Sequence, residues 1–108
     1  MRRTVSKRSV FWSESALQDL DESIAYIAKR NSSAARKVHA AIEQAGAQLG
    51  AAATGRRGRV NGTYEKSISR LPYVLAYATD TLPGGGERIV ILHVIHTARD
   101  WPEGQWPK

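Results

Sequence analysis

Two apolar runs separated by a glycine turn constrain the fold of this chain more than any other feature. Residues 73–79 read YVLAYAT, residues 88–96 read RIVILHVIH, and Leu82-Pro83-Gly84-Gly85-Gly86 stands between them. β-Branched and aromatic residues suit a pleated surface, and so short a linker joins neighbouring strands only as an antiparallel hairpin. The second run is apolar on both alternating sets. Ile89, Ile91 and Ile95 share one face with His93, while Val90, Leu92 and Val94 share the other with His96. Both faces therefore need cover. Helices suit one face, and the other is left for the tail over residues 97–108, with Trp101 and Trp106, or for a partner laid across an open groove.

The helices come earlier in the chain. After a β-prone run Val10-Phe11-Trp12, Ser13 offers a hydroxyl to cap a helix that opens with Glu14. Leu17, Leu20, Ile24 and Ile27 recur at intervals of three and four, an amphipathic stripe that predicts a helix ending near Asn31. Asn31 suits a left-handed C-cap, and Ser32 or Ser33 can cap a second, antiparallel helix with the stripe Ala35, Val38, Ile42, Ala45 and Leu49. Gly50 and residues 51–55 end that pattern. A basic approach, Arg56-Arg57-Gly58-Arg59, leads to a strand over Val60 and residues 64–70, with Asn61-Gly62 readable as a turn or bulge. The expected class is α+β, a β-α-α-β-β-β order with a helical hairpin on a small, mainly antiparallel sheet.

At 108 residues the chain has room for one domain, spanning residues 1–108, and enough core to fold without disulfides. It contains no cysteine, which removes thiol catalysis. No apolar run approaches a membrane span and no export signal follows Arg2-Arg3, so a cytoplasmic protein without a membrane partner is expected. Sixteen Lys and Arg against ten Asp and Glu give a formal charge of +6, which favours acidic partners. The glycine turn lacks the strand-to-helix setting of a phosphate loop, and His93 and His96 point to opposite faces of a regular strand. Neither a cofactor nor a metal is called for.

The order strand, helical hairpin, meander carries a set of words: W-S-x-x-A-x-x-D-L at residues 12–20, Y-I-A at 26–28, G-R-x-G-R-V-x-G-T at 55–63, P-Y at 72–73 and H-x-x-R-x-W-P at 96–102. Together they resemble the RelE/ParE superfamily of bacterial toxins. The resemblance implies the toxin of a type II toxin–antitoxin system, neutralised by a cognate, acidic antitoxin that folds onto an apolar groove. That groove would be formed by Leu17, Leu20, Ile24, Val90, Leu92 and Val94. Operator DNA would be reached only through the antitoxin.

The superfamily holds RelE-like toxins, which cleave mRNA on the ribosome, and ParE-like toxins, which poison DNA gyrase. RNA cleavage through the 2′-hydroxyl needs a base, cations for the phosphorane and an acid for the leaving oxygen. Where RelE-like enzymes carry alternating lysines, this chain has Tyr64-Glu65-Lys66-Ser67-Ile68; Val74 follows Tyr73 where an arginine is expected, and Thr97 replaces the late basic residue, with Arg99 beyond it. The incomplete set points to a ParE-like gyrase inhibitor that arrests growth and supports plasmid or locus maintenance. Its target-binding residues would be Arg59, His96, Arg99 and Trp101. The alternative nuclease would draw on Arg59, Glu65, Arg70, Tyr73, His96 and Arg99, and a third reading is a non-toxic corepressor that binds the antitoxin.

Overall fold

A computed structural model describes residues 8–98 and 104–106. Strand β1 (Ser9–Trp12) leads into helices α1 (Glu14–Ala28) and α2 (Ser32–Ala51), followed by strands β2 (Arg56–Arg57), β3 (Tyr64–Ser67), β4 (Tyr73–Thr81) and β5 (Glu87–His96). The strands form one sheet in the order β1-β5-β4-β3-β2. β1 runs parallel to β5 and every other pair is antiparallel. The architecture is α+β, as the hydrophobic pattern predicts, with one strand more than expected. Arg56 and Arg57 are not merely a basic approach: they pair with Glu65 and Tyr64 as a two-residue edge strand.

Local chemistry explains the helix boundaries. Ser13 caps α1, its hydroxyl accepting from the Ala16 N–H at 3.1 Å. The expected C-cap role of Asn31 is overturned. Its backbone is extended (φ −159°) and its side chain accepts the Ala34 N–H at 2.9 Å, so Asn31 is the N-cap of α2 and both serines lie inside the helix. An Asx oxygen satisfies an orphan amide better than it stabilises a left-handed turn, and α1 accordingly stops at Ala28. The strand expected through residue 70 also ends early, at Ser67, while Asn61-Gly62 forms a turn in which Gly62 has φ +83°. Arg70 occupies the left-handed region at φ +66°, as the third residue of a turn closed by the Leu71 N–H to the Ile68 carbonyl at 3.1 Å.

The register separates the two faces of the sheet. Tyr73 opposes His96, Leu75 opposes Val94, and Tyr77 opposes Ile91, whereas Val74 opposes Ile95 and Ala76 opposes His93. Between Ile91 and His93 the pairing skips Leu92, a β-bulge. This bulge corrects the expected faces of β5. Up to Ile91 the alternation holds, but beyond Leu92 it inverts, so Val94 joins Ile89 and Ile91 in the core and Ile95 turns outward with Ala76's partner His93. A period-two reading of an all-apolar run carries no mark of a bulge.

The core lies between the helices and this face. Ile42, Leu49, Leu75, Tyr77, Ile89 and Ile91 are its largest fully buried side chains, and burying each aliphatic or aromatic group contributes about 1.5–3 kcal/mol. Val10 and Trp12 of β1 pack against it. Two glycines of α2 make that approach possible. A Cβ on Gly46 would overlap the Trp12 ring, and one on Gly50 would stand 2.5 Å from the Arg8 carbonyl oxygen, while the Arg8 N–H donates to the Gly50 carbonyl at 2.9 Å. Alanine normally adds about 1 kcal/mol to a helix relative to glycine. Here the obstacle is backbone, so Gly50→Ala is expected to lower stability by about 1–2 kcal/mol, measured as a lower urea midpoint; a raised midpoint would show that β1 is free to move away.

The outer face is covered in part, although Phe11 at its β1 edge is 49% exposed. Val74, Ala76, Ile95 and Glu65 are all buried, and Trp106 of the tail lies 4.9 Å from the His93 ring. Of the two covers foreseen for this face, the tail is present at Trp106; Trp101 lies outside the described residues. His93 sits half-buried at the edge of β5, its Nδ1 3.0 Å from the Asp19 carboxylate, which also accepts the Val94 N–H at 3.0 Å. Where β1 ends, α1 thus finishes the sheet edge with side chains: Asp19 takes one amide, and the Ser13 hydroxyl donates to the Leu92 carbonyl at 3.1 Å.

Candidate functional site

The sheet sorts the residues expected to act on a partner into two groups on opposite faces. Glu65 opposes Ala76 on the outer face, and Tyr73 opposes His96 on the helix face. Two groups on opposite sides of one sheet cannot reach the same phosphate.

Glu65 belongs to the fold. Only 3% exposed, it accepts the Arg59 backbone N–H at 2.8 Å through one oxygen and meets the Arg56 guanidinium at 3.3 Å through the other. The carboxylate therefore ties together the edge strand β2 and the loop that carries Arg59. A general base must reach its substrate, and this carboxylate is buried and engaged at both oxygens. Arg59 is exposed beside it, and Arg70 is exposed in the β3–β4 turn.

Tyr73 and His96 meet edge to face with ring centroids 5.2 Å apart. The Ala98 N–H donates to His96 Nδ1 at 3.1 Å, so the neutral ring carries its proton on Nε2. This neutral imidazole donates from Nε2 and has no second lone pair to accept a proton. The two rings line a cavity of about 380 Å³ together with Glu22, Ser23 and Tyr26 of α1 and with Ala98. Glu22 and Ser23 fall outside the apolar stripe of the first helix. The signal that would have found the helix side of the cavity is the i, i+4 series Glu22, Tyr26, Arg30, which puts an aromatic ring on the exposed face between opposite charges. Arg99, the expected companion of His96, lies outside the described residues.

Tyr77 shares a face with Tyr73 and is 1% exposed, packed into the core. The Tyr77 hydroxyl donates to the Thr54 carbonyl at 2.7 Å, which fastens the end of α2 to the sheet. Burial pushes its phenol above the usual value of 10.0; Tyr64 adds to the rise and Arg8 opposes it. Folding therefore favours the protonated phenol. The corresponding stability is complete below the unfolded value of about 10 and is lost as pH rises through the higher folded value. Tyr77→Phe should remove about 1 kcal/mol at neutral pH and flatten the loss of stability above pH 10, measured by urea unfolding across that range. An unchanged alkaline limb would show that another group sets it.

The residues expected to meet an antitoxin differ in exposure. Leu20 and Val94 are buried at 4% and 2% exposure, and Ile24 is half-buried against the core. Leu17 is 46% exposed, and Val90 and Leu92 are half-buried. Among the described residues no helix is long and apolar enough to cross a membrane.

Comparison with known proteins agrees with this architecture. Residues 10–101 match the family described as the ParE toxin of type II toxin-antitoxin system, parDE. Over 100 residues the chain is 34% identical to a Sinorhizobium fredii (strain NBRC 101917 / NGR234) protein named "Putative toxin Y4kP", covering 92% of this chain and 98% of that one. A solved structure described as the chromosomal ParDE TA system from P. aeruginosa shares the fold, with a TM-score of 0.74 and 22% identity over 83% of this chain and 96% of the other. The match across nearly the whole strand–hairpin–meander order identifies the chain as a member of the ParE toxin family of type II toxin–antitoxin systems.

Proposed function

We propose that this chain acts as one domain in the cytoplasm, as a gyrase-inhibiting toxin that arrests growth, is neutralised by a cognate acidic antitoxin, and thereby supports maintenance of the plasmid or locus that carries it. The observation that supports inhibition by binding, rather than RNA cleavage, is the division of Glu65 and His96 between opposite faces of the sheet. A nuclease would need its base and acid at one phosphate. His96 and the neighbouring Arg99 serve instead as contacts to the target, with Arg59 and Trp101. The exposed Leu17 and the half-buried Ile24, Val90 and Leu92 serve the antitoxin, with Leu20 and Val94 beneath them, and operator DNA is reached through it.

The reading is tested by expressing the chain in growing cells and following DNA and protein synthesis separately over the first minutes. An early stop in DNA synthesis with DNA-damage signalling is expected. Prompt arrest of translation with cleaved messages would replace this reading with the ribosome-dependent nuclease.

A further inference from the structure

The cavity between α1 and the ends of β4 and β5 has a composition unlike the rest of this basic chain. Its lining combines one carboxylate, Glu22, with two tyrosines, Tyr26 and Tyr73, and His96. Most other acids here are already engaged: Glu87 with Arg8, Asp80 with Arg88, Glu65 with Arg56, Glu43 with His39 and Asp19 with His93. Glu14 stands in the first turn of α1, where the helix N-terminus favours a negative charge. Glu22 receives only the Gln18 amide, at 3.4 Å, and has no cationic partner among the described residues.

The aromatic side of the cavity is suited to a cation as well. Tyr26 is 60% exposed, and the Arg30 guanidinium already lies 5.0 Å from its ring centroid, so this ring takes a guanidinium on one face. The half-buried His96 presents a second ring from the sheet, backed edge to face by the buried Tyr73. A mostly apolar lining accommodates methylenes, while a single carboxylate at the helix holds the head group.

We infer that this cavity receives an arginine side chain of the antitoxin, its guanidinium paired with Glu22 and stacked against Tyr26. Arginine is favoured over lysine because a planar fork matches both a carboxylate and a ring face. The inference rests on the antitoxin reading given above, and not on gyrase being the target. An acidic antitoxin would meet the basic surface through its carboxylates and set its register through one basic residue placed here. A misplaced partner would leave that cation unpaired.

The test begins with the full chain and two small probes, N-acetyl-arginine methylamide and its uncharged isostere N-acetyl-citrulline methylamide, observed by NMR at the ring protons of Tyr26, Tyr73 and His96. The arginine probe should shift these signals saturably, the citrulline probe about tenfold more weakly, and Glu22→Gln should remove the difference. Binding of the cognate antitoxin to Glu22→Gln should then weaken about five- to tenfold, with Asp21→Asn on the same helix as an unaffected control. Equal response to both probes, or unchanged antitoxin affinity in Glu22→Gln, overturns the inference. Arg99→Ala is included because that residue lies close in sequence to Ala98; arginine-probe binding that appears only in this variant would assign the cavity to the chain's own arginine and equally overturn it. If wild-type chain fails to bind the antitoxin at all, the antitoxin reading falls, whatever the probes show.

Discussion

Glu65→Ala is expected to cost about 2–4 kcal/mol of folding stability, the largest loss from any single polar side chain here. The Arg59 amide loses its acceptor, Arg56 loses its partner, and a gap opens beside the buried Ala76. The guanidinium of Arg56 is exposed, so the ion pair itself adds little; most of the cost comes from the unsatisfied amide and the lost packing. Glu65→Gln retains an oxygen for the Arg59 N–H and should lose only about 1 kcal/mol. Urea unfolding of the two variants measures this difference. Growth inhibition should follow stability, so a folded Glu65→Gln chain stays toxic. A stable Glu65→Ala chain without toxicity would instead give the carboxylate a chemical role.

The second large effect concerns function. His96→Ala combined with Arg99→Ala should reduce toxicity at least about tenfold and weaken antitoxin binding by less than that, tenfold being 1.4 kcal/mol. His96 closes the end of β5, where its ring rests against Tyr73 and receives the Ala98 amide. Its substitution exposes little apolar area, and the Tyr73 ring keeps its place in the core. The double variant therefore separates contact with the target from the integrity of the fold, provided that its urea midpoint stays within about 1 kcal/mol of wild type. Equal loss of toxicity and of antitoxin binding would make the end of β5 a structural element only.

The parts of this fold that were legible in the sequence are those written in periodicity and punctuation. The three-and-four spacing from Leu17 to Ile27, the triple glycine and the paired apolar runs each fix an element by one local rule. Three features escaped for physical reasons. Asn31 is chemically competent at either end of a helix, and only the neighbouring geometry decides which end it caps. The bulge at Leu92 is invisible in a run where every residue is apolar, yet it transfers Val94 from the outer face to the core. Arg56 and Arg57 have the charge of a loop and yet form an edge strand opposite Glu65 and Tyr64, a pairing with a distant segment that no local pattern reports.

The candidate site was legible in its sheet half. His96 and Tyr73 stand out at the ends of runs, whereas Glu22, Ser23 and Tyr26 look like the solvated side of an amphipathic helix until α1 is laid over those strand ends. A cavity formed by residues some fifty and seventy positions apart in the chain is a property of packing, and no local pattern reports it. Sequence also offered Glu65 and His96 as partners in one chemistry. Register, which depends on pairing between distant segments, places them on opposite faces.

The most direct test of the central claim is to add purified chain to DNA gyrase and relaxed plasmid and, in parallel, to translating ribosomes with a defined message. Inhibited supercoiling or accumulated cleaved DNA, relieved by antitoxin, with the message intact, is the predicted result. Unimpaired gyrase together with cleaved message would contradict it.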